Sequence, residues 1–231
     1  MNLLEKEALA AQKAIELEDA TPEAIIQYAI ETFPNITFAC SFGAEDVVLV
    51  DMIQKVNPNI DIFYLDTDFH FEETLQTRDA LAERYPNIRY VQVKPEITPE
   101  EQAAQFGDEL WKNDPNQCCN IRKVQPLTKI LSQYECWITG IRRDQAPTRA
   151  NSKKAEYDYK FGLMKFNPLA SWTNEDVWNY IRENNVPYNP LHDRNYPSIG
   201  CTHCTRQVMP GEDPRAGRWS GNDKTECGLH K

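Results

Sequence analysis

Four short apolar runs, separated by stretches of helical length and pattern, constrain this chain more than any other feature. Residues 36–40 (ITFAC), 59–65, 88–93 and 136–140 (CWITG) read as strands. Residues 47–56 and 72–85 read as helices between them. Helices are also expected at 1–19, at 22–33 behind Thr21 as N-cap and Pro22 at the first helical position, and at 173–184 behind Thr173. ITFAC suits a buried parallel strand, and the alternation of strands with helices predicts an α/β fold with a doubly wound, mostly parallel sheet. Ligands of such sheets sit beyond the carboxyl ends of the strands. The polar clusters SFGAED (41–46), LDTD (65–68) and GIRRD (140–144) fall there.

Charge narrows the partners. The chain of 231 residues carries 25 Lys and Arg against 35 Asp and Glu, a net charge of −10, which argues against a general nucleic-acid binder. The first 117 residues hold 8 basic and 23 acidic side chains, the remainder 17 and 12, so an anionic small molecule is expected to meet its cations in the second half. No run approaches the roughly 20 apolar residues that span a bilayer, and residues 1–19 lack a secretory apolar core. A soluble, cytoplasmic protein is expected, with no membrane partner and with homo-oligomerisation left open. Four of the nine glycines and several prolines fall late in the chain. The expected division is a nucleotide-binding α/β unit over 1–185 and a loop-rich, mobile C-terminal segment over 186–231.

Seven cysteines without a secretion signal point to metal or thiol chemistry rather than disulfides. Cys40 and Cys136 lie in apolar strand runs and read as packing residues. Cys118-Cys119 and Cys201-x-x-Cys204 supply four thiolates, which suit Zn²⁺ or a [4Fe–4S] cluster. Adjacent cysteines point apart in most backbone conformations, which favours a cubane with separate corners over a single small ion. Zinc stays open on spacing alone.

SFGAED follows a strand and opens a helix, as a phosphate-binding loop must, because small residues let backbone N–H groups face an anion. It lacks the lysine of GxxxxGK[ST] loops. It also differs from the SGGKDS loop of enzymes that split ATP to AMP and pyrophosphate, since Phe42 and Ala44 stand at that loop's Gly and Lys. Nucleotide binding without ATP cleavage fits. Near the cysteines in sequence or charge stand Arg122, Lys123, Arg142, Arg143, Arg149, Arg215 and Arg218, whose side chains match sulfate or phosphate oxygens. Cys227 has Lys224 and His230 close in sequence, and positive neighbours favour a reactive thiolate.

Nearly the whole chain resembles the assimilatory adenylyl-sulfate reductases, the iron–sulfur branch of the phosphoadenylyl-sulfate/adenylyl-sulfate reductase family. SFGAEDVVLVDMI, LDT, CCNIRKVQPL, WITGIRRDQAPTRA, KFNPL, YNPLHDRNYPSIGCTHCTR, GRW and ECGLH carry the resemblance. It implies a fold of the adenine nucleotide α-hydrolase type and a [4Fe–4S] cluster on Cys118, Cys119, Cys201 and Cys204. It implies Cys227 as the nucleophile toward adenosine 5′-phosphosulfate, with an S-sulfonate resolved by thioredoxin or glutaredoxin in sulfate assimilation. By matching motifs, Lys123 would face the phosphosulfate, and Arg215, Arg218 and His230 the sulfate. Ser41, Phe42, Gly43 and Leu65 would cradle the adenosine, with Arg142 or Arg143 in contact.

The family commonly has LDTG where this chain has Leu65-Asp66-Thr67-Asp68. Glycine there would permit positive φ or close backbone approach, and Asp tolerates that backbone better than most residues. Asp68 adds negative charge that would disfavour a 3′-phosphate. The rival readings are a 3′-phosphoadenylyl-sulfate or dual-substrate reductase, a tRNA-thiolating enzyme and a zinc-stabilised binding module. The tRNA reading lacks both SGGKDS and a basic surface, and the zinc module leaves ECGLH without a role.

Overall fold

Strands β1 (Ile36–Ala39), β2 (Asp61–Leu65), β3 (Arg89–Val93), β4 (Cys136–Ile138), β5 (Ala155–Asp158) and β6 (Leu163–Phe166) make one sheet in the order β3-β2-β1-β4-β6-β5. The computed structural model describes residues 1–221 together with Lys224, Glu226 and Gly228. Strand β1 pairs in parallel with β2 and β4, β2 with β3, and β4 with β6, while β5 runs antiparallel to β6. The strand order reverses between β1 and β4. Their carboxyl ends therefore frame the crevice in which ligands of such sheets bind.

The helices are α1 (Leu3–Glu16), α2 (Pro22–Thr32), α3 (Ala44–Val56), α4 (Glu72–Arg84), α5 (Pro99–Phe106), α6 (Leu110–Asn113), α7 (Pro115–Cys119), α8 (Gln125–Leu131) and α9 (Asn174–Glu183). A wide π turn, Asn120–Val124, joins α7 to α8. Asn2, Thr21, Thr98 and Thr173 cap α1, α2, α5 and α9 through their side chains. Beyond α9 the described chain is loop-rich, with short 3-10 turns at Pro190–Arg194 and Thr202–Cys204. Among the described residues no helix is long and apolar enough to cross a membrane.

The four expected strands and five expected helices all form, with ends shifted by a few residues. The β5–β6 hairpin was not expected, because each strand has four residues and a lysine interrupts LMKF. Lys165 is nonetheless buried: it pairs with Glu156 across the hairpin at 3.0 Å and lies over the Trp137 ring.

Helix α3 explains why the sheet can stay apolar on both faces. Val47, Val48, Leu49, Val50, Met52 and Ile53 are all fully buried, so this helix is wrapped on nearly every side. In the middle of this helix the buried carboxylate of Asp51 is satisfied rather than stranded. Tyr85, at the end of α4, donates to Oδ1 at 2.8 Å and Tyr180 of α9 donates to Oδ2 at 2.7 Å. Lys55 pairs with Oδ2 at 2.6 Å from a half-exposed position, which limits its worth. Three helices thus meet at one carboxylate. Replacing Asp51 with Ala should leave two buried tyrosine hydroxyls without their acceptor and lower the unfolding free energy by about 2–3 kcal/mol. A urea titration should show an earlier midpoint at unchanged slope, and an unshifted midpoint would contradict this role.

Candidate functional site

Two segments distant in sequence bring four thiols to one cavity. Cys118 and Cys119 close α7, and the π turn that follows carries Arg122 and Lys123, each four residues on, along the same side. The second segment is held by the β2–α4 loop. Phe69 O accepts from Thr202 N at 2.9 Å, and the Thr67 hydroxyl lies 3.4 Å from Cys201 Sγ. Cys204 N donates back to Cys201 O at 3.0 Å, closing the turn. The cavity is lined by all four cysteines, by Arg122 and Lys123, and by Phe69, Trp111, His203 and Trp219. Trp111 and His203 stack at 4.0 Å and Phe69 meets both edge-on, which makes an aromatic wall on one side.

The electrostatics define what the cavity can hold. Burial pushes the Cys118 thiol up to about 12, and the charges of Cys119, Cys201 and Cys204 add to the shift. Burial also lifts Cys204 to about 11, reinforced by Cys201 and Cys119 and opposed by Lys123 and Arg218. Added positive charge in the cavity would favour the ionised forms of Cys118 and Cys204. Among the described residues, two residues lining the cavity also carry a buried donor without a hydrogen-bond acceptor, Arg122 Nη2 and Trp219 Nε1. Buried donors are costly when unmade, so they suit a group that brings acceptor atoms into the cavity. Among the described residues, no group of three or more His, Cys, Asp or Glu side chains is arranged to hold a single metal ion.

Arg122, almost fully buried, is set by its surroundings. Its Nε donates to Gln102 Oε1 at 2.8 Å, its Nη1 pairs with Asp68 at 3.1 Å, and its guanidinium lies over Phe69. Asp68 itself has φ 59, the left-handed backbone that the sequence comparison with LDTG anticipates. Its carboxylate is also taken by Lys94 at 2.7 Å. The extra negative charge is therefore matched by two cations.

The crevice between β1 and β4 forms the second half of the site. Ser41 donates from both backbone N and hydroxyl to Asp46 Oδ2, at 2.5 and 2.6 Å. Gly43 starts α3 without a side-chain cap. Gly140 lets the exit of β4 pass close to that helix, since a Cβ there would stand 2.3 Å from Asp46 Oδ1. Phe42 adopts φ 62 and turns its ring into the core against Tyr64, leaving only its backbone to the loop. At the end of β2, the Leu65 carbonyl accepts from His70 Nε2 at 2.9 Å.

The arginines separate into distinct roles. Arg142 stays at the crevice, buried, with Glu45 at 2.8 Å and Asp144 as counter-charges. Arg143 opens the 3-10 turn Arg143–Gln145 and makes a two-pronged pair with Glu18 at 2.6 and 2.8 Å. Arg218 lies against Gly200, donates to Ser198 Oγ and Ile199 O, and stacks on Trp219. Arg215 joins Arg149 and Thr148 around Glu226. Cys227 and His230 lie outside the described residues.

The structure thus gathers Lys123 with Cys118, Cys119, Cys201 and Cys204, and places Ser41, Gly43 and Arg142 in the neighbouring crevice. Cys40 and Cys136 are buried, as packing residues should be. Four contributors carried weak signals in the sequence. Arg122 stands at helical spacing from Cys118, Thr67 lies inside LDTD, Gln102 comes from a helix that was not expected, and Glu226 belongs to ECGLH but was given no role there.

A mostly parallel sheet with a crevice at its switch point defines an α/β fold of the adenine nucleotide α-hydrolase type, here with a cavity lined by four cysteines. The phosphoadenosine phosphosulfate reductase domain matches residues 35–207. The adenosine 5′-phosphosulfate reductase of Halalkalibacterium halodurans is 50% identical over 220 residues, covering 95% of this chain and 94% of its own. Adenosine 5′-phosphosulfate reductase 2 of Bacillus subtilis is 50% identical over 208 residues, with 90% and 88% covered. A crystal structure of phosphoadenylyl-sulfate reductase from Candida auris, a phosphate complex, aligns with a TM-score of 0.75 at 31% identity over 86% of this chain and 96% of that one. An NAD synthetase from Campylobacter jejuni shares the fold at a TM-score of 0.53 and 12% identity, covering 86% of this chain and 80% of its own. The chain belongs to the phosphoadenosine phosphosulfate reductase family.

Asp46 offers a test of the crevice independent of any ligand. Burial lifts its carboxyl to about 6, opposed by the Ser41 hydroxyl and amide, raised further by Glu45 and lowered by Arg149. Because this stands above the ordinary 3.8, the stability it contributes is complete below about pH 4 and is lost as pH rises through about 6. Between about pH 4 and pH 7, wild type should lose roughly 3 kcal/mol relative to Asp46→Asn. Urea unfolding of both proteins at the two pH values reads this out, and parallel pH profiles would contradict it.

Proposed function

We propose that the chain reduces adenosine 5′-phosphosulfate to sulfite and AMP, in sulfate assimilation, with two electrons drawn from thiols. The observation that carries the reading is the meeting of Cys118, Cys119, Cys201 and Cys204 with Lys123 at one cavity beside the nucleotide crevice. Relatives half identical over almost their full length, named adenosine 5′-phosphosulfate reductases, support it.

The Cys227 thiolate attacks the substrate sulfur. An S–S bond forms, the S–O bond to the phosphate breaks, and AMP leaves with that electron pair. A thiolate of thioredoxin or glutaredoxin then attacks Cys227 Sγ, and sulfite departs with the pair of the S–S bond. A second donor thiol displaces Cys227 from the mixed disulfide. The balance is one substrate and two thiols giving sulfite, AMP and one disulfide, with two protons released.

The residues around the site have matching tasks. The backbone of Ser41, Phe42 and Gly43, with Leu65, borders the adenosine, and Arg142 stands at the same crevice. Arg143 is committed to Glu18 and contributes to holding α1 instead. Lys123 faces the phosphosulfate, and Arg215, Arg218 and His230 take the sulfate oxygens. Cys118, Cys119, Cys201 and Cys204 would hold a [4Fe–4S] cluster, which fits the donor set and the waiting Arg122 and Trp219 N–H groups. Bound there, it would supply a fixed charge that ties the two cysteine segments together without changing its own oxidation state. A cubane spreads its ligands over four corners, consistent with sulfurs that do not converge on one ion as zinc requires.

Asp68 favours the unphosphorylated substrate. It keeps both Lys94 and Arg122 occupied and so withholds two cations from an added 3′-phosphate. The similarity to the Candida auris reductase keeps the 3′-phosphorylated compound as the second reading. Protein purified anaerobically and mixed with adenosine 5′-phosphosulfate in the absence of thiol should gain a single SO₃ group, mapped to Cys227 by peptide mass. An adduct from the 3′-phosphorylated substrate alone would select the second reading, and none from either would defeat both.

A further inference from the structure

Glu226 immediately precedes the proposed nucleophile, and its carboxylate is only 5% exposed. Arg149 reaches it with two prongs, Nε to Oε1 and Nη2 to Oε2, both at 2.9 Å. Thr148 Oγ1 donates to Oε1 at 3.2 Å and Arg215 Nη2 to Oε2 at 3.3 Å. All the neighbours of this carboxylate named here are donors. Burial pushes its pKa up, but the hydrogen bonds and charge of Arg149, with Arg215 and Thr148, hold it below the usual carboxylate range.

The seat joins both halves of the site. Arg149 lies close enough to Asp46 to act on its titration, and its Nη1 is braced by Gln145 at 2.6 Å. Arg215 belongs to the loop that leads to Arg218 and Trp219 at the cysteine cavity. Among the neighbouring described residues, Lys224 donates to Pro115 O and Asn116 Oδ1, and the Gly228 carbonyl accepts from Lys160. Among these described contacts, that of Glu226 is the buried ion pair. Burying a carboxylate is costly unless it is paired, so the two arginines hold the Glu226 side chain in this one seat.

We propose that Glu226 is a positioning residue: its seat between Arg149 and Arg215 sets where the adjoining Cys227 stands for attack on the substrate sulfur. The inference rests on Cys227 being the nucleophile.

The test compares wild type, Glu226→Gln, Glu226→Asp and the milder Thr148→Val, each checked for iron content and AMP affinity. Two rates are read: single-turnover S-sulfonation of Cys227 at saturating adenosine 5′-phosphosulfate, and alkylation of Cys227 by iodoacetamide without substrate, followed by peptide mass. Glu226→Gln should slow sulfonation by about tenfold to a hundredfold and speed alkylation, with iron and AMP binding retained. Glu226→Asp should recover part of the loss, and Thr148→Val should shift both rates a smaller amount in the same directions. Wild-type sulfonation in Glu226→Gln, or slowed sulfonation at unaltered alkylation, overturns the proposal. If wild type itself forms no S-sulfonate, the proposed reaction fails instead, and the alkylation comparison still reads the seat alone.

Discussion

Bringing four thiols, three of them buried, to one cavity is the constraint on which the rest of the site depends. Burial and the neighbouring sulfurs oppose ionisation of Cys118 and Cys204. The surrounding chain answers with cations and donors: Lys123 and Arg218 act on Cys204, and Arg122, which lines the cavity, carries a buried N–H group without an acceptor among the described residues. Nothing about a stable core requires this arrangement. Apolar residues would fill the space at lower cost.

That constraint also explains the local backbone. Asp68 accepts a left-handed conformation in order to reach Arg122, and Arg122 in turn lies over Phe69, whose carbonyl receives the Cys201 turn. The β2–α4 loop therefore serves two partners: one end borders the nucleotide crevice at Leu65, and the other carries the second cysteine segment. On the opposite side Arg149 and Arg215 link crevice and cavity through Glu226.

Much of this was legible in the sequence, for identifiable reasons. Strands β1 and β4 are continuous apolar runs bounded by polar turns, and α2 and α9 begin with Thr caps. The pairing of CC with CxxC announced the cavity. The β5–β6 hairpin escaped because the burial of Lys165 depends on Glu156 across the hairpin and on Trp137, neither of which a local window contains. Arg142 and Arg143 looked equivalent, and only Glu18, on the connection after α1, separates them. Arg122 and Glu226 were visible as charges, but their burial comes from contacts more than fifty residues away in the chain, with Asp68 and Arg149.

The claim that the four thiols act together as one ligand set is tested most directly on anaerobically purified protein, by iron and acid-labile sulfide analysis with Mössbauer spectroscopy of ⁵⁷Fe-labelled material. The account predicts equal iron and sulfide in the ratio of one [4Fe–4S] cluster per chain, lost on replacing either Cys118 or Cys201 with Ser. Zinc in place of iron, or an intact cluster in either variant, would contradict it.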